Sequence, residues 1–436
     1  MPNNATSPIA VAVSGGADSL AVLALLRKTM PNRSLVAVHG LFGQEVMHDF
    51  LVSCGLKHGP WPDAAHQAML EQMEGMTAAL GIPLHVLDLS QQFFSQVVRP
   101  FVAQYVMGLT PNPCALCNRA IKFGALLEAC RSLGASHLAT GHYARLENGT
   151  LPCPDLRLAG LNLGQSSRPG SAKASISPEL PTLKPGVDSG KDQSYFLALV
   201  PGQQLEQALF PLGNARKSDV LRFLQDHNLT PPQPGESQEI CFIPGGRTGA
   251  MPGYRDFIPF MASRLGIPLP GPGPICLDNG QVLGRHRGLW HYTEGQRKGL
   301  GIGWKEPLHV LAKNVETNTL LLGPQHSMGT NRLLAGPANI LAAPQYWPET
   351  VLVKTRYREA PRQAKVHLVA HSGETCPPST PVASMSSLDT AGVFLDVSFL
   401  EPEKTVAPGQ LVAVYAPDGE DLRLLAGGII SHYQPL

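Results

Sequence analysis

The chain has 436 residues, 43% hydrophobic and 15% charged, which is enough to bury large cores in two or three domains and excludes a disordered or fibrous protein. A formal net charge of +1 removes any case from bulk basicity, so a nucleic-acid partner would have to be met by local positive charge. No run of about 18 uninterrupted apolar residues occurs, and the opening MPNNATSPIA lacks the basic-then-apolar order of a signal peptide, so a cytoplasmic protein without membrane contact is expected.

The first predicted element is a buried strand at Ile9 to Val13. Ser14, Gly15, Gly16, Ala17, Asp18 and Ser19 interrupt it, and Leu20 to Leu26 resumes as helix. Two residues without Cβ let the backbone turn tightly beside a ligand, while the orphan N–H groups of the next helix point at it; that geometry binds phosphate. Ser14 and Ser19 can donate to phosphate oxygens, and Asp18 can hold an accompanying Mg2+. An ordinary strand-to-helix turn uses the same residue types, so the loop alone decides nothing. Further strands are expected at LVAVHGLF, LHVLDL and SHLATGHY, with helices at AAHQAMLEQMEGMTAALG and FFSQVVRPFVAQYVMG between them. This alternation predicts an α/β doubly wound parallel sheet with nucleotide at the C-terminal ends of its strands.

The segment NPCALCNRAIKFGAL places Cys114 and Cys117 three residues apart, between a Pro-bounded turn and a predicted helix from Asn118 to Arg131. Eight cysteines in this length are too sparse for a disulfide scaffold. A metal clamp, a redox pair, a nucleophile with a helper and two buried thiols all remain open from spacing alone. The helix N-terminus is expected to lower a thiolate pKa here. Cys54, Cys130, Cys153, Cys276 and Cys376 have no paired motif and read as small buried or loop residues.

Residues of about 150–188 are rich in Pro, Ser and Gly without sustained periodicity and read as a mobile insert. Helices are then expected at KSDVLRFLQDHNL and YRDFIPFMASRLG, separated by a Pro/Gly-containing segment that carries Cys241. Arg285, Arg287, Arg297 and Lys298, opposed only by Glu294, supply local positive charge suited to RNA. From about Leu308, short alternating runs bounded by Asn, Gly, Pro or Asp predict a small β-barrel.

The strings SGGADS, TPNPCALCNRAIKFGALLEA, ATGHYAR, GKDQSYFL, ESQEICFI, HYTEGQRKGLGIG, VKTRYR and VAPGQ follow one another over nearly the whole chain. SGGADS resembles the PP-loop of ATP pyrophosphatases, and the ordered set resembles the tRNA-specific 2-thiouridylases, which replace the C2 oxygen of the wobble uridine with sulfur. The resemblance implies a PP-loop catalytic domain of the adenine nucleotide alpha hydrolase-like kind over 1–212. It also implies a small central linker or tRNA-binding domain over 213–306 and a tRNA-binding β-barrel over 307–436. ATP, Mg2+, a tRNA and a sulfur donor, either a protein or inorganic sulfide, are implied with it, for an enzyme expected to work as a monomer. By the same resemblance Ala12, Val13, Ser14, Gly15, Gly16, Ala17, Asp18, Ser19, Gly43 and Gly141 face ATP. Asn112, Pro113, Cys114, His142, Lys191, Asp192, Gln193, Arg356, Tyr357 and Gln410 face tRNA. Cys117 takes the place of the nucleophilic or resolving cysteine and Cys241 that of the persulfide carrier.

A uracil carbonyl has a poor leaving group, so its oxygen must first become an adenylate, after which sulfur displaces AMP from either a persulfide or a metal cluster. Where the family usually carries aspartate in NPD, this chain has Cys114. Cys114, Cys117 and Cys241 are therefore expected to ligate a [4Fe–4S] cluster with one iron left open for the transferred sulfur; the alternative is a plain persulfide pair of Cys117 and Cys241. Zinc on three thiolates offers no sulfur chemistry. After GLF the family has methionine near the adenine and this chain has Gly43, so side-chain contacts there do not carry over. Other readings are a cytidine thiolase, a lysidine synthetase or a non-catalytic RNA-binding iron–sulfur sensor.

Overall fold

A computed structural model describes residues 7–55, 64–151, 153, 181–233, 240–243, 253–371 and 392–435; much of the expected insert, 152 and 154–180, lies outside them. In chain order the first strands are β1 (Ile9–Ala12), β2 (Leu35–Leu41), β3 (Leu84–Asp88), β4 (His137–Ala139), β5 (Ala144–Glu147), β6 (Thr182–Pro185) and β7 (Ala208–Leu209). Five of them form the expected parallel sheet in the order β3-β2-β1-β4-β7, while β5 and β6 pair antiparallel beside it. The period of two along each strand feeds two cores. Ala10, Val36 and Val38 point to one face, and Ile9, Val11, Leu35 and Ala37 to the other, where α1 (Ala17–Thr29) packs.

After α1 come α2 (Gln44–Ser53) and α3 (Ala64–Ala79). Two longer helical stretches then contain π-helical turns: α4 (Ser90–Phe93), a π segment Phe94–Val98 and α5 (Arg99–Val106), then α6 (Pro113–Cys117), a π segment Asn118–Leu126 and α7 (Leu127–Ser132). Phe93, Phe101 and Phe123 from these stretches are fully buried against the sheet. After the short α8 (Gly202–Leu205), α9 (Lys217–Asp226) lays Val220, Phe223 and Leu224 into the α1 core, and α10 (Tyr254–Arg264) packs on α5.

A second sheet joins β8 (Gly273–Leu277), β9 (Val282–His286), β10 (Leu308–Asn314) and β11 (Thr319–Pro324) in the order β10-β11-β8-β9. The division expected at 306/307 falls inside this sheet. Alternating runs after Leu308 look alike whichever sheet receives them, so the pattern could not place the first two with β8. The remaining strands are β12 (Thr330–Ala335), β13 (Asn339–Ile340), β14 (Val351–Lys354), β15 (Arg362–His371), β16 (Gly392–Glu403), β17 (Leu411–Asp418) and β18 (Asp421–Pro435). Six close into an antiparallel barrel, β12-β16-β15-β14-β17-β18, sealed by β12 pairing with β18, and β13 adds to β18. Closure removes the free edges an open sheet would present. Among the described residues no helix is long and apolar enough to cross a membrane.

The three parts meet at a buried polar knot. Lys313 of β10 and Glu294 of the preceding loop lie 3.3 Å apart with side chains 2% and 5% exposed. Lys313 Nζ also donates to Thr110 Oγ1 (3.2 Å) and to the Tyr292 carbonyl (3.0 Å), and the Thr110 hydroxyl donates to Glu294 Oε2 (3.2 Å). Thr110 opens the TPNPC turn, and the barrel holds the same point: Gln410 Nε2 donates to the Thr110 carbonyl at 3.0 Å, and Thr110 N–H to Pro408 O at 2.8 Å. Burial pulls the Lys313 ammonium down from its ordinary range, and Glu294 opposes that pull. Because removal of one member strands the other charge in the interior, Lys313→Met should cost about 3–5 kcal/mol in urea unfolding, and adding Glu294→Leu should recover most of the loss. A single-variant loss below about 1 kcal/mol would remove the knot from the stability of the junction.

Candidate nucleotide and sulfur-transfer site

The loop after β1 is built as its sequence requires. Gly15 has φ of +83°, a conformation that L side chains rarely adopt, and Gly16 caps α1 in extended geometry. Ser19 Oγ donates to Gly16 O (2.9 Å) and accepts from Ser14 N–H (3.1 Å), with Ser14 Oγ 3.3 Å away. The hydroxyls of Ser14 and Ser19 and the carboxylate of Asp18 thus gather at the N-terminus of a 13-residue helix, where the backbone N–H groups favour an anion. These are hard oxygen donors, the set that suits Mg2+ beside phosphate.

Neighbouring elements close round that loop. Tyr143 Oη and Lys217 Nζ each donate to Asp18 Oδ1 at 2.7 Å. A Cβ on Gly141 would stand 3.0 Å from Asp18 Cβ and 3.3 Å from Ser19 N, so the Gly141–His142–Tyr143 turn lies tightly against the loop. Gln233 N–H donates to Gly15 O at 3.0 Å. His39, within β2, bonds the Val13 carbonyl through Nδ1 (2.8 Å), and burial holds its pKa below the ordinary histidine value. Gly43 stands at the N-cap of α2 and Ala12 ends β1, both on the same side of the sheet ends as the loop.

The thiols sit on the other side of that turn. Asn112 caps α6, its Oδ1 accepting from Ala115 N–H at 3.1 Å, and Pro113 takes the first helical position. The helix therefore starts at Pro113 and runs without a break through Ser132, so Cys117 is inside it and not ahead of it as expected. Lowering of the Cys117 thiol does not follow. Burial pushes it up to about 12, and burial likewise raises Cys114, and Cys241 to about 11. Cys114 and Cys241 present part of their surface to solvent, but the atoms crowding their sulfurs still penalise the thiolate. The three thiols feel one another's charge, and Lys122 is the cation that pulls each of them back down. Lys122 Nζ lies 3.5 Å from His142 Nε2, which also faces Asn118 Oδ1 at 3.3 Å; His142 Nδ1 meets Thr140 Oγ1 at 2.8 Å. Burial holds His142 well below the ordinary histidine pKa, so its ring is neutral. Three soft sulfurs suit a cluster in kind, yet among the described residues no group of three His, Cys, Asp or Glu side chains is arranged to hold a metal ion.

The remaining expected residues fall into two sets. Lys191, Arg356 and Tyr357 are partly exposed, with Arg356 Nη2 donating to Glu294 O at 2.9 Å and Tyr357 packed on the Phe196 ring at 4.6 Å. Asp192, His142 and Asn112 are buried. Asp192 accepts from Gly186 N–H, Ser194 N–H and Ser194 Oγ, each at 3.0 Å, and Gln193 Oε1 accepts from Tyr143 N–H at 3.0 Å. Gln410, as described above, grips the backbone ahead of Asn112. Lys122, Tyr143 and Lys217 were not singled out from sequence. Lys122 and Tyr143 lie within quoted motifs, but Lys217 opens a helix far along the chain, and nothing local joins it to Asp18.

Residues 7–245 match the family model described as the tRNA methyl transferase HUP domain, and residues 263–324 match the tRNA methyl transferase PRC-barrel domain. The chain is 41% identical over 422 residues to the tRNA-specific 2-thiouridylase MnmA of Nitratidesulfovibrio vulgaris strain DSM 19637 / Miyazaki F, covering 97% of this chain and 98% of that protein. It is 37% identical over 424 residues to the protein of the same name from Lawsonia intracellularis, and 33% over 443 residues to that from Dehalococcoides mccartyi. In these two the alignments cover 97% and 99% of this chain, and 99% and 98% of the relatives.

With its proton held to about 12, Cys117 should be alkylated by iodoacetamide far more slowly than exposed Cys54 at about pH 8, and its rate should keep rising above 9.0, the ordinary thiol value. Lys122→Met, which removes the opposing cation, should slow it further. Mass mapping of modified peptides reads both rates, and a Cys117 rate already level at about pH 8 would show a thiolate that burial does not suppress.

Proposed function

The chain belongs to the tRNA-specific 2-thiouridylase family, and on that premise we propose that it adenylates the C2 oxygen of the wobble uridine with ATP and replaces it with sulfur. One observation carries this reading: a single turn joins the phosphate loop to the thiols. Gly141 lies against Asp18, and its neighbour His142 meets Asn118 and Lys122 on the helix of Cys114 and Cys117. The family model's description speaks of methyl transfer, whereas the relatives' name speaks of thiolation. A phosphate loop beside a cluster of thiols supports the second.

In this reading Ser14, Ser19 and the α1 N–H groups bind the triphosphate and Asp18 holds Mg2+, which neutralises phosphate charge. The uracil oxygen attacks the α-phosphorus, pyrophosphate leaves with the electron pair of the broken P–O bond, and the N3 proton passes to solvent. Sulfur arrives as a persulfide on Cys241, adds at C2 and displaces AMP. Cys117 then attacks Sγ of Cys241, and the Sγ–S bond breaks with its electron pair on the sulfur held by C2, which frees the 2-thiouridine and leaves a Cys117–Cys241 disulfide for a reductant. Cys114, Lys191, Arg356 and Tyr357 meet the tRNA, while Asn112, Pro113, His142, Asp192, Gln193 and Gln410 hold the turns that present them. Residues 1–212 together with Cys241 carry the chemistry, and the rest of 213–306 and 307–436 carry tRNA contact, in a cytoplasmic monomer fed with persulfide by a sulfur-donor protein; inorganic sulfide would serve only a cluster.

The second reading, a [4Fe–4S] cluster on Cys114, Cys117 and Cys241, is favoured by the mutual electrostatic reach of the three thiols. Anaerobic purification with about four irons per chain, lost together with activity in Cys114→Ala, would establish it; full thiolation by metal-free protein from a persulfide donor would remove it. For either reading, Asp18→Ala should reduce tRNA-dependent AMP and pyrophosphate formation by about 100-fold or more while tRNA still binds. Release of ADP and orthophosphate by the unaltered enzyme would overturn the assignment.

A further inference from the structure

SGGADS is an unusual phosphate cradle in one respect: its single charged side chain, Asp18, is an anion. A triphosphate brought to this loop meets helix N–H groups and two hydroxyls but no cation from the loop itself. The cation at hand comes from elsewhere in the chain. Lys217 is the first residue of α9, and its Nζ lies 2.7 Å from Asp18 Oδ1 with the side chain 15% exposed.

We propose that Lys217 is a phosphate-binding residue, which exchanges its contact with Asp18 for the β- and γ-phosphates of bound ATP and then holds the departing pyrophosphate. The proposal rests on the reading that ATP is split to AMP and pyrophosphate at this loop.

Its backbone is fixed where the task requires. Lys217 N–H donates to Asp188 Oδ2 at 2.9 Å, and the next turns of α9 bury Val220, Phe223 and Leu224 in the core shared with α1. Two helix N-termini are thereby held against each other, one carrying the anion-binding loop and the other the ammonium. A lysine binds phosphate as a point charge on a long stem, with no fixed fork to satisfy. Asp18 does not lose its anchor when Lys217 leaves. Tyr143 Oη donates to the same oxygen at 2.7 Å, so the carboxylate stays in place for Mg2+. The resting ion pair also keeps two opposite charges matched before nucleotide arrives, and the incoming phosphates restore that match on both sides.

The consequence separates nucleotides by their phosphates. ATP and pyrophosphate carry the groups Lys217 would meet, and AMP does not. In calorimetric titrations of the full chain with MgATP, magnesium pyrophosphate and AMP, Lys217→Met should weaken the first two by about 10- to 100-fold, the loss expected for one charged hydrogen bond, and leave AMP within about twofold. Lys217→Arg, which keeps the charge, should retain most of the ATP affinity. Unchanged ATP affinity in Lys217→Met would overturn the proposal, and so would a parallel loss for AMP, which would mean that the lysine only shapes the loop. Products of the unaltered enzyme distinguish the two levels: ADP and orthophosphate would fail the functional reading, whereas AMP and pyrophosphate with an indifferent Lys217→Met variant would fail this inference alone.

Discussion

Lys313 and Glu294 bring opposite charges into an interior where neither would stand alone, and the hydroxyl they share is Thr110. Through that residue the second sheet fixes the backbone two residues ahead of Asn112, the cap of the cysteine helix. Gln410 in the barrel grips the same backbone from another side, and Tyr195, fully buried, donates to the Leu411 carbonyl at 2.7 Å. None of these contacts touches a thiol. They decide where the thiols are, because a helix whose first turn is held cannot rotate its second residue, Cys114, away from the site. An ion pair of this kind is a poor source of net stability compared with apolar packing. Its directionality is what an apolar cluster could not supply: only matched partners satisfy it, so the three parts of the chain dock in one arrangement.

From that anchored helix the same logic extends to the nucleotide. Asn118 and Lys122 reach His142, and the glycine before His142 lets the turn lie against Asp18. A side chain at position 141 would press on Asp18 and Ser19, where the two halves of the site meet. Around the loop, charges are balanced by residues distant in sequence, Lys217 for Asp18, while around the thiols the balance runs the other way. Burial outweighs the pull of Lys122, and the sulfurs keep their protons.

The phosphate loop was legible because its signal is local: a buried strand, two glycines and a helix start lie within a dozen residues, and backbone sterics leave few other uses for that order. The parallel sheet was legible from the alternation of strands and helices, and a barrel from the short alternating runs, although period alone did not show that the first two of those runs join β8. Misplacement of the cysteine helix had a different cause. Asn112 and Pro113 are a good cap and first residue, yet the stretch was read as a turn with the helix starting at Asn118, and the π-helical segment that carries Lys122 onto the site has no sequence period of its own. Tyr143 and Lys217 escaped because their partner, Asp18, is more than a hundred residues away. Gln410 and Arg356 show the converse: motif membership identified them, but only tertiary structure revealed the backbone carbonyls they hold.

Protonated thiols suit an enzyme that must not react before its substrate is ready. A persulfide or thiolate formed in the empty site would meet water, oxidants and other thiols before it met an activated uracil. Desolvation prevents this without a blocking group, since the charged sulfur is penalised until something alters its surroundings. His142 contributes through burial, which holds its pKa well below the ordinary histidine value: a charged imidazole 3.5 Å from Lys122 would repel it from the sulfurs. The site is therefore tuned by the packing that excludes charge, with Lys122 beside the thiols and the Asp18–Lys217 pair at the loop among the ions admitted to it.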